Sequence, residues 1–237
     1  MKKIVLVTGV SRNMGLGFET ARQLSALGYT VVITARDIDK VTLLAADAGL
    51  IAKTLDVTSE SSIDKLVSQF SEQFGKLDVL INNAGGFFDQ GGAAASTDMT
   101  FVKDAFDLNV LGAWRTIKAF KSLLEKSESG RIVNVSSGAG SFTDPVFGMA
   151  NHAGNVPAYA ITKLALNGLT VKFAKELKET KIKINSVCPG FVATYPGTEA
   201  WGARPVTEGV KGIVWAATLP DDGPSGGFFR DGKSLNW

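Results

Sequence analysis

Short runs of β-branched and aliphatic residues recur along this chain, and most are followed by a longer stretch in which apolar residues return with a helical period. This alternation constrains the fold more than any other feature. A strand apolar on both faces must be covered on both sides, and parallel neighbours need a crossover, which a helix supplies. The pattern therefore predicts βαβ units feeding a buried parallel sheet. The strand-like runs are residues 3–7, 30–34, 51–55, 79–82, 132–135, 183–187 and 227–230, and helical period appears in residues 15–27, 62–74, 100–124, 158–177 and 207–219. Three segments rich in glycine, proline and small residues, 85–96, 138–157 and 189–205, each follow the C-terminal end of a strand, where open α/β sheets place their ligands.

The chain has 237 residues, enough for one large α/β domain over residues 1–237, and neither a repeat nor a linker interrupts it. Lys plus Arg number 25 against 23 Asp plus Glu, spread without a basic patch, which argues against nucleic acid or an anionic membrane as partner. A single cysteine, Cys188, excludes an internal disulfide and fits a reducing compartment. No run approaches the roughly 18 apolar residues that span a bilayer, and the N-terminal apolar run lacks a signal-type context, so a cytoplasmic protein is expected.

The stretch TGVSRNMGLG, residues 8–17, joins the first strand to the first helix. A glycine turn at that place lets backbone N–H groups approach a diphosphate while the helix dipole favours its charge, and Gly9 and Gly15 meet the requirement. Ser11, Arg12, Asn13 and Met14 complete the loop; Asn13 stands where the middle glycine would, and tolerates positive φ better than most residues with a Cβ. A glycine pattern alone reads equally well as an ordinary tight turn. The second strand ends in Ala35, Arg36 and Asp37. Small Ala35 leaves room where a carboxylate would repel a 2′-phosphate, and Arg36, with Arg12, offers donors to bind one, which together favour NADP(H) over NAD(H). The expected fold is thus a single Rossmann-type, doubly wound parallel α/β sheet of about seven strands with helices on both faces.

Tyr159 and Lys163 stand at i and i+4 in YAITK and project from one helix face. A neighbouring ammonium stabilises a phenolate and brings the phenol toward the working pH range. With the motifs LDV ending at Val57, NNAG from Asn82 to Gly85, Asn109 in LNVLG, IVNVSS ending at Ser137, and PGFVAT from Pro189 to Thr194, in that order, the chain resembles the short-chain dehydrogenase/reductase family from first strand to last. The resemblance implies a dinucleotide-binding part over about residues 1–130 and catalytic and substrate loops over about 131–237. It implies that Tyr159 protonates the nascent alkoxide during carbonyl reduction, or acts as base in the reverse direction. Lys163 would lower its pKa and bond the nicotinamide ribose, Ser137 would hold the substrate oxygen, and Asn109 would anchor a water linking Lys163 to solvent. Ser136 is given a structural role. Asp56 and Val57 would meet the adenine, Asn83, Ala84 and Gly85 would line the cofactor, and Pro189, Gly190, Val192 and Thr194 would face the nicotinamide.

The step from Ser137 to Tyr159 is 22 residues, longer than the family commonly shows, and this insertion, with the C-terminal LPDDGPSGGFFRDGK, leans toward the carbonyl-reductase-like branch. Phe87, Phe88, Phe142, Phe147, Met149, Tyr195 and Trp201 lie on loops expected around the nicotinamide, and among them Phe87, Phe147, Tyr195 and Trp201 are candidate substrate contacts for an apolar ketone or aldehyde. His152, in the insertion, reads as a surface histidine, and Cys188 as a small buried thiol. Apolar faces through Phe106, Leu111, Trp114, Leu166 and Phe173 are equally suited to cover the sheet or, as the resemblance implies, to pack between subunits of a homodimer or homotetramer. The expected activity is reversible hydride transfer between NADPH and a small carbonyl compound, giving an alcohol. The alternative is a non-catalytic NADP(H)-sensing protein, which has no need of the four proton-transfer residues; a second, an isomerase or dehydratase, usually needs a larger substrate region.

Overall fold

The computed structural model describes residues 2–89, 92–151 and 155–237; His152 lies outside the described residues. Its strands are β1 (Ile4–Val7), β2 (Thr30–Ala35), β3 (Ile51–Thr54), β4 (Val79–Asn82), β5 (Arg131–Val135), β6 (Lys183–Val187), β7 (Phe228–Arg230) and β8 (Lys233–Ser234). They form one sheet in the order β3-β2-β1-β4-β5-β6-β7-β8. All neighbours run parallel except β7 and β8. The helices are α1 (Leu16–Ala26), α2 (Ile38–Ala48), α3 (Glu60–Phe74), α4 (Met99–Phe106), α5 (Gly112–Leu124), α6 (Pro157–Glu176), α7 (Val206–Gly209) and α8 (Lys211–Ala217).

The period-2 geometry of the strands sorts the core into two layers. Ile4 and Leu6 of β1, with Leu80, Ile132 and Ile184, face α3, α5 and α6 through Phe70, Phe120 and Phe173. Val5 and Val7, with Ile33, Ile81 and Val133, face α1, α2 and α8 through Phe18, Val41 and Ile213. Every residue of β1, β4 and β5 is buried, which is why β1 and β4 are almost continuously apolar, while the buried Arg131 and Asn134 of β5 have hydrogen-bond partners in the Leu219 carbonyl and Asn82.

Three features differ from the sequence expectation. The strand β8 closes a hairpin through Asp231 (φ 53°) and Gly232 (φ 73°), so the sheet is mixed and has eight strands. Two consecutive positive φ values match the twist of an antiparallel pair, and an Asp-Gly pair supplies them at low cost. Helix α2 stands where no helix was expected, capped by Asp37, whose side chain accepts from the amides of Asp39 and Lys40, and stopped by Gly49 at φ 64°. Leu43 on this helix is 71% exposed, which blurs the apolar period. The helical stretch 100–124 is broken by one π-helical turn, Asp107–Leu111, which separates α4 from α5 and carries Asn109.

Candidate active site

Strand order reverses between β1 and β4, and the crevice that opens beyond the C-terminal ends of these strands holds the expected site. Gly9 (φ 69°) turns the chain out of β1, and a Cβ there would stand 2.5 Å from the Ala84 Cα. Gly17 lets Asn83 approach, since a Cβ would meet its Nδ2 at 2.5 Å. Asn83 in turn donates to the carbonyls of Thr8 (2.8 Å) and Gly9 (3.1 Å), which fastens the β1 and β4 ends together. Asn13 has no positive φ, because Asp231 alone among the described non-glycine residues does. The middle position of this turn therefore needs no glycine conformation, and the special tolerance of asparagine plays no part.

The residues fit a dinucleotide. Gly15 precedes α1 without a side-chain cap. The first-turn amides of Leu16, Gly17 and Phe18 find no acceptor among the described residues, whereas Glu19 already bonds the Gly15 carbonyl. Such open amides at the positive end of a helix suit a phosphate. Gly9, Ser11, Arg12, Gly15, Asn83, Gly85, Tyr159, Lys163, Pro189 and Thr194 line an adjoining cavity of about 300 Å³. Met14 and Asn13 are exposed beside it, and Ala84 packs behind Gly9. Arg36 is exposed at the end of β2 and has no ion pair among the described residues. Burial works to raise the Asp56 carboxyl, yet hydrogen bonds from Thr58 and the charge of Arg36 together bring it below its ordinary value. The Asp37 carboxylate is committed to the start of α2 and to Lys40. Val57 is buried beneath Gly112. The guanidinium of Arg12 lies 4.1 Å from the ring centroid of Tyr195, joining the glycine loop to the loop after β6.

A second cavity of about 400 Å³ continues from the first and is lined by Ser137, Tyr159, Phe87, Phe147, Gly190 and Val192, among others. Tyr195 lines the first cavity rather than this one, and Trp201 lines neither. Trp201 is 78% exposed because a short turn, Thr198–Trp201, bounded by Gly197 and Gly202 at positive φ, carries it into solvent. Phe142 is likewise exposed. Leu16, Val156, Phe191 and Cys188 line the second cavity and were not expected there. The Cys188 sulfur is buried and accepts from the amides of Gly138 (3.1 Å) and Gly190 (3.3 Å) and from Arg230 Nη2 (3.1 Å). Two of these contacts, from Gly138 after β5 and from Arg230 at the end of β7, come from segments far away in sequence, so no local pattern announced them.

Lys163 is buried, and its Nζ donates to the Val135 carbonyl at 2.9 Å. Burial pushes its pKa down to about 8. Burial pushes the Tyr159 phenol up to about 12, opposed by the hydroxyl of Ser137, which is the reverse of the lowering expected from Lys163, because water exclusion outweighs the neighbouring ammonium. The Ser137 Oγ also accepts from the Ala139 amide at 3.2 Å, and the Ser136 hydroxyl donates to the Lys163 carbonyl at 3.5 Å, tying β5 to α6. The Asn109 side chain accepts from Gly86 N–H (2.8 Å) and donates to the Gly86 carbonyl (3.0 Å) and to Thr162 Oγ1 (3.1 Å). It clamps the loop after β4 to α6. A larger groove of about 850 Å³ between α5 and α6 is lined by Val110, Trp114, Leu169, Phe173, Glu176 and several lysines, and Ser137, Tyr159 and Lys163 are not among its walls. No helix among the described residues is long and apolar enough to cross a membrane.

Comparison with known proteins agrees with this geometry. The family model for short chain dehydrogenase matches residues 3–202. A (+)-neomenthol dehydrogenase of Arabidopsis thaliana is 32% identical, with 96% of this chain and 95% of that protein covered. A 3-oxoacyl-[acyl-carrier-protein] reductase of a Synechocystis species is 34% identical, with 87% and 80% covered. The crystal structure of NADPH-bound carbonyl reductase from chicken fatty liver superposes with a TM-score of 0.86 at 27% identity, covering 100% of this chain and 99% of that one. With the sheet order, the glycine turn and the Ser137, Tyr159 and Lys163 cluster in place, the chain belongs to the short-chain dehydrogenase family of oxidoreductases.

Proposed function

We propose that this protein reduces an uncharged, apolar ketone or aldehyde with NADPH and carries out the reverse alcohol oxidation on the same groups. The observation that carries the reading is the shared wall of the two cavities: Tyr159 lines both, with the open first turn of α1 on one side and the Ser137 hydroxyl on the other. Arg12, Arg36 and the loop amides would hold the phosphates, Asp56 and Val57 the adenine, Asn83, Ala84, Gly85 and Lys163 the ribose side, and Pro189, Gly190, Val192 and Thr194 the nicotinamide. NADPH, when bound, supplies the hydride.

The remaining work falls to the chain. The hydroxyls of Ser137 and Tyr159 donate to the carbonyl oxygen, which offsets the charge that grows there, and Tyr159 gives up its proton. The raised phenol pKa keeps that proton in place at neutral pH, so the group is ready as an acid. Lys163, held by Val135, favours the phenolate that remains. Asn109 fixes Gly86 and Thr162 around this pair.

The second cavity supports the substrate class. Its walls include Leu16, Phe87, Ala139, Phe147, Val156 and Phe191, and among the described residues no charged side chain lines it. An apolar carbonyl compound suits such walls better than a polyol or a thioester carrying an anionic arm. The relative named for neomenthol acts on an alcohol of this apolar kind. The test is NADPH consumption followed by absorbance against a cyclic apolar ketone, an aromatic aldehyde, a ketose and a 3-oxoacyl thioester. Oxidation of NADPH by the first two is the expected result; turnover of only the ketose or thioester would overturn the substrate class, and binding without oxidation across the whole panel would overturn the enzyme reading.

A further inference from the structure

Asp89 lies in the loop that follows β4, yet its carboxylate meets the start of α6. Oδ1 accepts from the Ala158 amide at 2.9 Å and Oδ2 from the Tyr159 amide at 2.8 Å, across sequence separations of 69 and 70. The residue before this helix, Val156, provides no side-chain cap, and Pro157 at its first turn has no N–H to satisfy. The cap that a neighbouring Ser or Asp would normally supply comes here from a distant loop. Asp89 is 9% exposed, so its charge depends on these amides for compensation. The contrast with α1 is direct: there the first-turn amides are open, and here a carboxylate of the chain itself fills the place.

The same loop reaches Tyr159 by two further routes. Phe87 packs on it with ring centroids 5.2 Å apart. Gly86 is held by Asn109, Asn109 donates to Thr162, and Thr162 Oγ1 donates to the Tyr159 carbonyl at 2.8 Å. The amide, the carbonyl and the ring of Tyr159 are therefore all referenced to residues 86–89. We infer that Asp89 is a positioning residue for proton transfer: it fixes the first turn of α6 against the loop, and so sets where the Tyr159 hydroxyl stands relative to Ser137 and to the wall made by Phe87. This rests on the reading of Tyr159 as the proton donor.

The test compares Asp89→Ala and Asp89→Asn in the full chain, with NADPH binding titrated by fluorescence. A displacement of the acid by about 1 Å costs on the order of 100-fold in rate. In Asp89→Ala, kcat should fall by roughly 10- to 100-fold with the KM for NADPH changed by less than about threefold, and the isotope effect on kcat from NADPH deuterated at the transferred position should rise as the chemical step becomes limiting. Asp89→Asn keeps one oxygen acceptor and should recover part of kcat. Wild-type kcat in a folded, NADPH-binding Asp89→Ala overturns the role, as does a loss of kcat with an unchanged isotope effect. Should Asp89→Ala fail to fold, wild-type kcat and isotope effect in Asp89→Asn, with faster amide exchange at Ala158 and Tyr159, overturn it. A wild-type protein that turns over no carbonyl compound removes the reading of Tyr159 itself, and this role with it; turnover by the wild type separates the two failures.

Discussion

The Nζ of Lys163 lies 5.5 Å from the ring centroid of Tyr159, one helical turn away on α6, and both side chains reach into a part of the fold that penalises charge. The two pKa values are driven apart by one cause. Burial disfavours the phenolate and the ammonium alike, which leaves a protonated phenol beside an amine whose charge is readily lost. Such a pair suits the proton donation proposed for Tyr159.

Replacing Tyr159 with Phe removes the donor and leaves the ring packed on Phe87. Turnover should fall by at least about 100-fold, the scale of general acid catalysis, while NADPH binding survives. Steady-state kinetics beside a fluorescence titration checks both; comparable turnover in the mutant would take Tyr159 out of the mechanism.

The pH dependence of reduction should follow Lys163. The phenol keeps its proton across the neutral range because burial lifts it to about 12, and the lysine keeps its charge only below about 8. Reduction should be level on the acid side and decline as pH rises through the lysine value, whereas alcohol oxidation, which needs the phenolate, should grow with pH. In Lys163→Arg, whose charge does not titrate in this range, the decline should disappear even if the rate is lower. A decline retained in that variant would assign it to another group.

Lys163 should also cost stability. Below about 8 both the folded and unfolded chains carry its proton, and the full penalty of burying the charge applies. Between about 8 and the ordinary value of 10.5 the folded protein releases the proton while the unfolded chain keeps it, so stability rises with pH, and above that range the penalty is gone. Lys163→Met is expected to raise the neutral-pH Tm, at roughly 2–4 °C per kcal/mol, with the lost hydrogen bond to Val135 offsetting part of the gain. The difference should shrink in alkaline buffer, and a Tm gap independent of pH would contradict the assignment.

Arg36 is the exposed cation at the end of β2. Hydrogen bonds to a charged partner contribute on the order of 1.5–3 kcal/mol, so Arg36→Ala should raise the KM for NADPH by about 10- to 100-fold and leave that for NADH nearly unchanged. Equal effects on both coenzymes would show that Arg36 does not read the 2′-phosphate.

The strands β1, β2 and β4–β6 were legible because each is buried on both faces and carries β-branched residues, although Asn134 in β5 and Asn185 and Ser186 in β6 interrupt the apolar runs. Helix α2 was not, since half of its surface faces water and its signal rests on the caps Asp37 and Gly49. The two-residue strand β8 is too short for any period to register, although the Asp-Gly pair before it marks a hairpin. At the site, the order of Ser137, Tyr159 and Lys163 was readable from local motifs. The place of Trp201 was not, because the glycines that turn it outward act through backbone conformation rather than through its own chemistry.

The sequence by itself determined the layer architecture and supplied the candidate reactive side chains, because apolar period and helical spacing act between residues close along the chain. Only the tertiary structure decided that a carboxylate from the loop after β4 would cap the helix of Tyr159, that Asn109 would sit on a π-turn, and that lysine and phenol would both be pressed toward neutrality. Those outcomes depend on contacts between segments far apart in sequence and on how much water the assembled fold excludes, and neither quantity is written in any local stretch of residues.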